Sequence, residues 1–148
     1  MPKRLPKTPS KLIRLAIADF RRVLRLKKTY VVDMTEWHEP NSHCSVCLAG
    51  AVMAGTLKAS PDVEMSPGDY DDATDRALYA LNDFRMGCFW DALGTLGKDD
   101  LSDAKTEAID DLEHTVGNKI HTSMRAKDWR TFNRHMLKLA DELEKIRL

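Results

Sequence analysis

An all-α fold, a compact bundle of about five helices, follows from three observations on the 148-residue sequence. Apolar residues recur three and four apart over long stretches, the period of a helix with one buried face. Turn-forming Pro, Gly and Ser clusters separate those stretches. Extended signals are scarce, and the one short candidate is Tyr30-Val31-Val32, within residues 30–33. Hydrophobic residues make up 43% and charged residues 31% of the chain, which excludes disordered and collagen-like classes. A chain of this length buries about 70% of its unfolded surface, so one domain over residues 1–148 needs neither disulfide nor metal to form a core.

After a lead with prolines at 2, 6 and 9, Ser10 is the expected cap of a helix running to about Lys28. Its inward stripe is Ile13, Ile17, Phe20 and Leu24, with a basic ridge on the opposite side. Residues 33–42, with Pro40 and Asn41, read as a loop that brings Trp37 and His38 close to the next segment. From His43 to Leu57, Cys44, Cys47, Ala51 and Ala54 repeat along one helical side and predict a central helix with a seam of small residues. Gly50 and Gly55 each cost such a helix about 1 kcal/mol relative to Ala, unless a second backbone packs against them.

Residues 59–69, with Ser60-Pro61 and Ser66-Pro67-Gly68, form the next loop. A long helix follows, with Ala77, Leu81, Phe84, Cys88 and Ala92 inward, Gly87 as its weak point, and Gly94 and Gly97 at its end. The next helix, from about Leu101 to Val116, buries Leu101, Ala104, Ala108, Leu112 and Val116 and stops at Gly117. Its outer face is acidic, with Asp99, Asp100, Asp103, Glu107, Asp110, Asp111 and Glu113. Residues 118–124 continue as a short helix or turn. Trp129, Phe132, Met136, Leu139, Leu143 and Ile146 then give the clearest helical pattern, over about 2.5 heptads. That length assigns the last helix to the domain's own core, with a homodimer seam as the alternative use.

The 23 basic and 23 acidic residues cancel, but they are not mixed. Residues 1–28 hold ten basic residues against Asp19 alone, a charge of +9, so the remainder carries −9. Either the basic arm folds onto the acidic body, or the two halves meet different partners. The candidate partner-binding residues are Lys11, Arg14, Arg21, Arg22, Arg25 and Lys28, expected to contact an acidic macromolecular surface. Nucleic acid is the alternative occupant, through salt-sensitive phosphate contacts, although no groove-reading motif accompanies the ridge. Anionic lipid fits the same charges. The longest apolar stretch, Val46 to Leu57, is about 12 residues against the roughly 20 of a membrane span. No membrane span or secretion signal is expected, and three cysteines suit reduced thiols in a cytoplasmic protein.

Candidate chemistry gathers in Trp37-His38-Glu39-Pro40-Asn41-Ser42-His43-Cys44-Ser45-Val46-Cys47. His38, Cys44 and Cys47 are zinc-type ligands, but a second ligand pair at defined spacing is lacking, so Cys88 or His43 must supply the fourth. The leading reading makes Cys44 and Cys47 small packing residues. A nucleophilic Cys44 with His38 or His43 as base lacks an orienting third group and an oxyanion site. A redox Cys-x-x-Cys lacks its βαβ context. Pro40 and the five-residue spacing of His38 and His43 rule out the zinc-protease helix. Asp69, Asp71 and Asp75 fail as a calcium loop, because Thr74 replaces the glycine and Ala80 the bidentate glutamate. No glycine-rich phosphate loop is present. No catalytic residue and no cofactor are expected, and the chain reads as a binding protein.

The segment His43-Cys44-Ser45-Val46-Cys47-Leu48-Ala49-Gly50-Ala51-Val52-Met53-Ala54, preceded by Trp37-His38, resembles a stretch in small uncharacterised proteins of bacteriophages and prophages. The resemblance covers about 18 residues. It implies an accessory or regulatory phage-type protein that meets a host or phage component in the host bacterial cytoplasm. It carries no activity and no assigned catalytic residue.

Overall fold

The computed structural model describes residues 4–148, so Pro2 and Lys3 of the basic arm lie outside the described residues. The chain is predominantly helical with one small sheet. Its elements are α1 (Pro9–Arg25), β1 (Tyr30–Val32), β2 (His38–Glu39), β3 (Cys44–Val46), α2 (Leu48–Ala54), α3 (Asp72–Arg85), α4 (Phe89–Thr95), α5 (Asp103–Leu112), α6 (Asn118–Arg125) and α7 (Trp129–Lys145). Seven helices therefore stand among the described residues where about five were expected. The two additional helices arise at two glycines, and a strand replaces the start of the expected central helix.

The expected long helix breaks at Gly87, whose φ of +81° lies in the left-handed region that glycine enters without penalty, and it becomes α3 and α4. A Cβ there would stand 2.9 Å from the Gly117 carbonyl oxygen, so the same glycine lets the α3–α4 corner press on the next layer. Gly117 is not the expected stop. It ends a wide turn, Glu113–Gly117, through which α5 runs directly into α6. Ala104, expected inside, is exposed, whereas Ile109, Leu112 and Val116 are buried.

The central segment required the larger correction. Cys44–Val46 is not helical. It pairs in parallel with β1, Tyr30 opposite Cys44 and Val32 opposite Val46, and antiparallel with β2, His38 opposite Val46. The strand order is β1-β3-β2. Val32 supplies a β-branched partner for Val46, with Val31 opposite Ser45, and the cross-strand ladder outweighs the three-four spacing that suggested one continuous helix. The helix is confined to Leu48–Ala54. Its N-cap is Cys47, whose sulfur accepts the Gly50 amide at 3.4 Å. All seven residues of α2 are buried.

The expectation of close approach along the small-residue seam holds at Gly50. A Cβ on it would lie 1.6 Å from the Trp37 carbonyl oxygen and 3.0 Å from the Val46 Cβ. Gly55 likewise faces the Asp19 carboxylate, which accepts from the Thr56 amide at 3.1 Å and the Thr56 hydroxyl at 2.7 Å. The only acidic residue of the basic arm is thus spent tying α1 to the end of α2.

Helix α1 begins at Pro9 with Thr8 as N-cap, so Ser10 sits inside the first turn. Proline in that turn gives up no needed amide. Ser10 is buried and donates its amide to the Leu148 carbonyl at 3.2 Å, which joins the start of α1 to the end of α7. The helix ends at Arg25, three residues short of Lys28. The core centres on Phe20, Phe84, Phe89 and Phe132, all fully buried. The apolar stripe of α7 is consumed inside this chain, with Phe132, Met136, Leu139 and Leu143 buried. Among the described residues no helix is long and apolar enough to cross a membrane.

Candidate functional site

Helices α1 and α7 pack along their length in opposite directions, and their apolar stripes dictate that pairing. Leu12, Ile13, Ala16, Ile17, Phe20 and Val23 form the buried side of α1. At one end Phe20 meets the rings of Trp129 and Phe132 edge-on, with centroids 5.5 and 5.6 Å away. At the other end Arg14 donates to Asp141 at 2.9 Å and to Glu144. With the apolar sides turned inward, the polar sides of both helices face solvent together.

Between these ends the two helices frame a groove of about 510 Å³, lined by Arg21, Arg130, Arg134, Leu137, Lys138 and Asp141. Four cations border it. Its one carboxylate, Asp141, is already engaged by Arg14. Arg21, Arg130, Arg134 and Lys138 form no ion pair among the described residues. Neighbouring groups register the resulting positive potential. Burial pushes the His135 imidazole below its ordinary pKa, and Arg134, Lys119 and Lys138 push it further. Hydrogen bonds from Thr131 hold the Asp128 carboxyl below its usual range, assisted by Arg134 and Arg130.

The residues expected to bind a partner divide in three. Arg14 is occupied within the chain, and its guanidinium is held charged by the hydrogen bonds to Asp141 and Glu144. Arg21 lies in the groove. Lys11, Arg22, Arg25 and Lys28 are exposed and make no ion pair among the described residues. Self-neutralisation by the acidic body therefore reaches one residue of the ridge. Sequence reasoning missed Arg130, Arg134 and Lys138. Their spacing of four on α7, on the side away from Phe132 and Met136, was the available signal.

The cysteine-histidine segment forms a different kind of place. His38 is buried, and its Nδ1 donates to the Val63 carbonyl at 2.7 Å. The Cys44 sulfur lies 3.6 Å from Nε2 and 3.7 Å from Nδ1. Near-equal distances to both nitrogens do not aim the sulfur along a single lone pair. Burial raises the Cys44 thiol pKa, and Asp62 and Glu39 raise it further, so the sulfur is held protonated. Cys47 is also raised, chiefly by burial, and its sulfur serves as the α2 cap.

Of the zinc candidates His38, Cys44 and Cys47, the structure brings the first two together and gives the third another task. His43 is exposed, and Cys88 begins α4 as its N-cap. Among the described residues, no group of three or more His, Cys, Asp or Glu side chains is placed to hold a metal ion. No protein-family model matches the chain, and no curated protein or solved structure matches it either.

Proposed function

We propose that this chain is a non-enzymatic accessory or regulatory protein of phage type, which captures an acidic face of a host or phage protein in the host bacterial cytoplasm. The carrying observation is the α1/α7 groove, where Arg21, Arg130, Arg134 and Lys138 converge and, among the described residues, form no ion pair, the one lining carboxylate, Asp141, being engaged by Arg14. Arg22, Arg25 and Lys28 extend the same charge along the end of α1 and the turn after it. Complementary charge of this kind speeds encounter and sets register on a protein surface.

A protein partner fits better than a polyphosphate, because the face is mixed in sign. Asp141 and Glu144 stand at one end of it. A long polyanion meets repulsion there, whereas a protein surface of mixed charge pairs with both signs. One observation favours nucleic acid as a second reading: Arg130, Arg134 and Lys138 stand about 6 Å apart along the α7 axis, by the helical rise over four residues.

The test is Arg21→Glu combined with Arg134→Glu in the full chain, with helicity followed by circular dichroism. Both positions line the solvent-facing groove, so folding is expected to persist. Capture of partner protein from host lysate is expected to collapse, and unchanged capture overturns the reading. An anisotropy titration against duplex DNA at rising salt separates the two occupants. A steep fall of a measurable affinity marks phosphate binding, and the protein reading expects no such binding at physiological salt.

A further inference from the structure

A second pocket, of about 450 Å³, lies where the N-terminal segment crosses the first turns of α3 and the end of α4. It shares no lining residue with the α1/α7 groove. Its volume is within the range of small-molecule sites, roughly 300–1,000 Å³. The walls combine two chemistries. Leu5, Ala73, Ala77 and Leu96 supply an aliphatic surface, and Arg4, Lys7, Arg76 and Lys98 supply four cations at its border.

None of those four cations forms an ion pair among the described residues. Asp71 is the one carboxylate in the lining, and its Oδ1 accepts the Thr74 amide at 2.8 Å as the cap of α3. Its charge is held by that bond, by the Thr74 side chain and by Arg4. The lining therefore has a positive excess of three, and no ion pair among the described residues offsets it. The absence of any aromatic ring from the lining takes away the stacking platform that a nucleobase needs.

We propose that this pocket binds a small amphipathic anion, an aliphatic chain ending in a carboxylate or a phosphate monoester. The chain lies on Leu5, Ala73, Ala77 and Leu96, and the head meets Arg76 and Lys98 with Arg4 and Lys7 on the facing side. Burial of methylenes against the floor removes apolar surface from water and stabilises the complex. The guanidinium and ammonium groups contribute charge-assisted hydrogen bonds to the head.

The full chain is titrated with decanoate and, separately, decyl phosphate, each below its self-association concentration, by calorimetry and by amide chemical-shift changes. Saturable binding of either probe, with shifts at Ala73, Ala77 and Leu96, is the expected result, and the tighter of the two identifies the head group. Arg76→Glu with Lys98→Glu is expected to weaken binding by at least about tenfold, the loss of one charge-assisted hydrogen bond. Ala73→Leu, at an exposed lining position, is expected to weaken it by narrowing the floor. Circular dichroism must show both variants folded. Three results overturn the proposal: no saturable binding of either probe, equal binding of decyltrimethylammonium, or unchanged affinity in both folded variants. Arg21→Glu with Arg134→Glu is expected to leave this binding intact, so failure here and failure at the α1/α7 groove are read separately.

Discussion

Replacing Gly50 by alanine sets two effects of opposite sign against each other at one atom. Within a helix the substitution ordinarily stabilises by about 1 kcal/mol, because glycine loses more backbone freedom on folding. Here the added methyl would lie 1.6 Å from the Trp37 carbonyl oxygen and 2.8 Å from its carbon. A carbon-to-oxygen contact needs roughly 3.3 Å, so α2 and the Trp37 backbone must separate by about 1.7 Å. Neither side yields cheaply. Trp37 precedes His38, which pairs with Val46 and bridges to Met65, and every residue of α2 is buried. Overpacking against immobile backbone costs about 3 kcal/mol net after the propensity gain, at the upper end of ordinary substitutions. For a chain of this size that lowers Tm by roughly 6–12 °C. Urea unfolding followed by far-ultraviolet circular dichroism measures it, with Gly94→Ala as the control. A Cβ on Gly94 meets nothing closer than Asp99 Oδ2 at 4.0 Å, so there the propensity gain of about 1 kcal/mol stands alone. If Gly50→Ala matches Gly94→Ala in stability, the close approach of α2 to Trp37 is wrong.

Three further outcomes follow from the same structure. Asp19→Ala leaves the partly buried Thr56 amide and hydroxyl without their acceptor and is expected to destabilise by about 1–3 kcal/mol, and a chemical-denaturation midpoint equal to that of the parent chain contradicts it. Asp83 is held above its ordinary pKa by burial first and by the Asp91 charge second. The folded chain therefore binds that proton more tightly than the unfolded chain, and its penalty at neutral pH is relieved as pH falls through the raised pKa. Asp83→Asn should stabilise at pH 7 and converge with the parent only once pH falls below the ordinary carboxyl value of 3.8, so an advantage that persists there undiminished refutes the assignment. Cys44 and Cys47 are buried thiols with raised pKa, so a disulfide reagent at pH 8 should modify Cys88 alone, and slowly, because Cys88 is raised as well. Rapid modification of all three in the folded chain would show that the sulfurs are accessible.

Much of the architecture was legible in one dimension, because helical period and turn chemistry act locally. The last helix reads directly from Trp129, Phe132, Met136, Leu139 and Leu143, and the extended character of Tyr30-Val31-Val32 reads from its β-branched residues. Cys44-Ser45-Val46 did not read as a strand, because its three-four spacing with Ala51 and Ala54 also satisfies a helix. What decides between them is a ladder to β1, twelve or more residues away, which no local pattern contains. The break at Gly87 was visible as a weakness and became a corner only through the packing of Gly87 on Gly117.

The candidate site divides the same way. The sequence by itself determined that a basic helix with one buried face opens the chain, since the spacing of Ile13, Ile17 and Phe20 leaves its cations nowhere but outside. It equally determined that the thiols and histidines lack the ligand spacing of a standard metal site. Only the tertiary structure decided that Arg14 is neutralised by Asp141 and Glu144 while Arg21 is joined by Arg130, Arg134 and Lys138. The physical reason is that Coulomb interaction depends on distance in space. Residues more than one hundred positions apart come within its reach only after α1 and α7 have buried their apolar sides against each other.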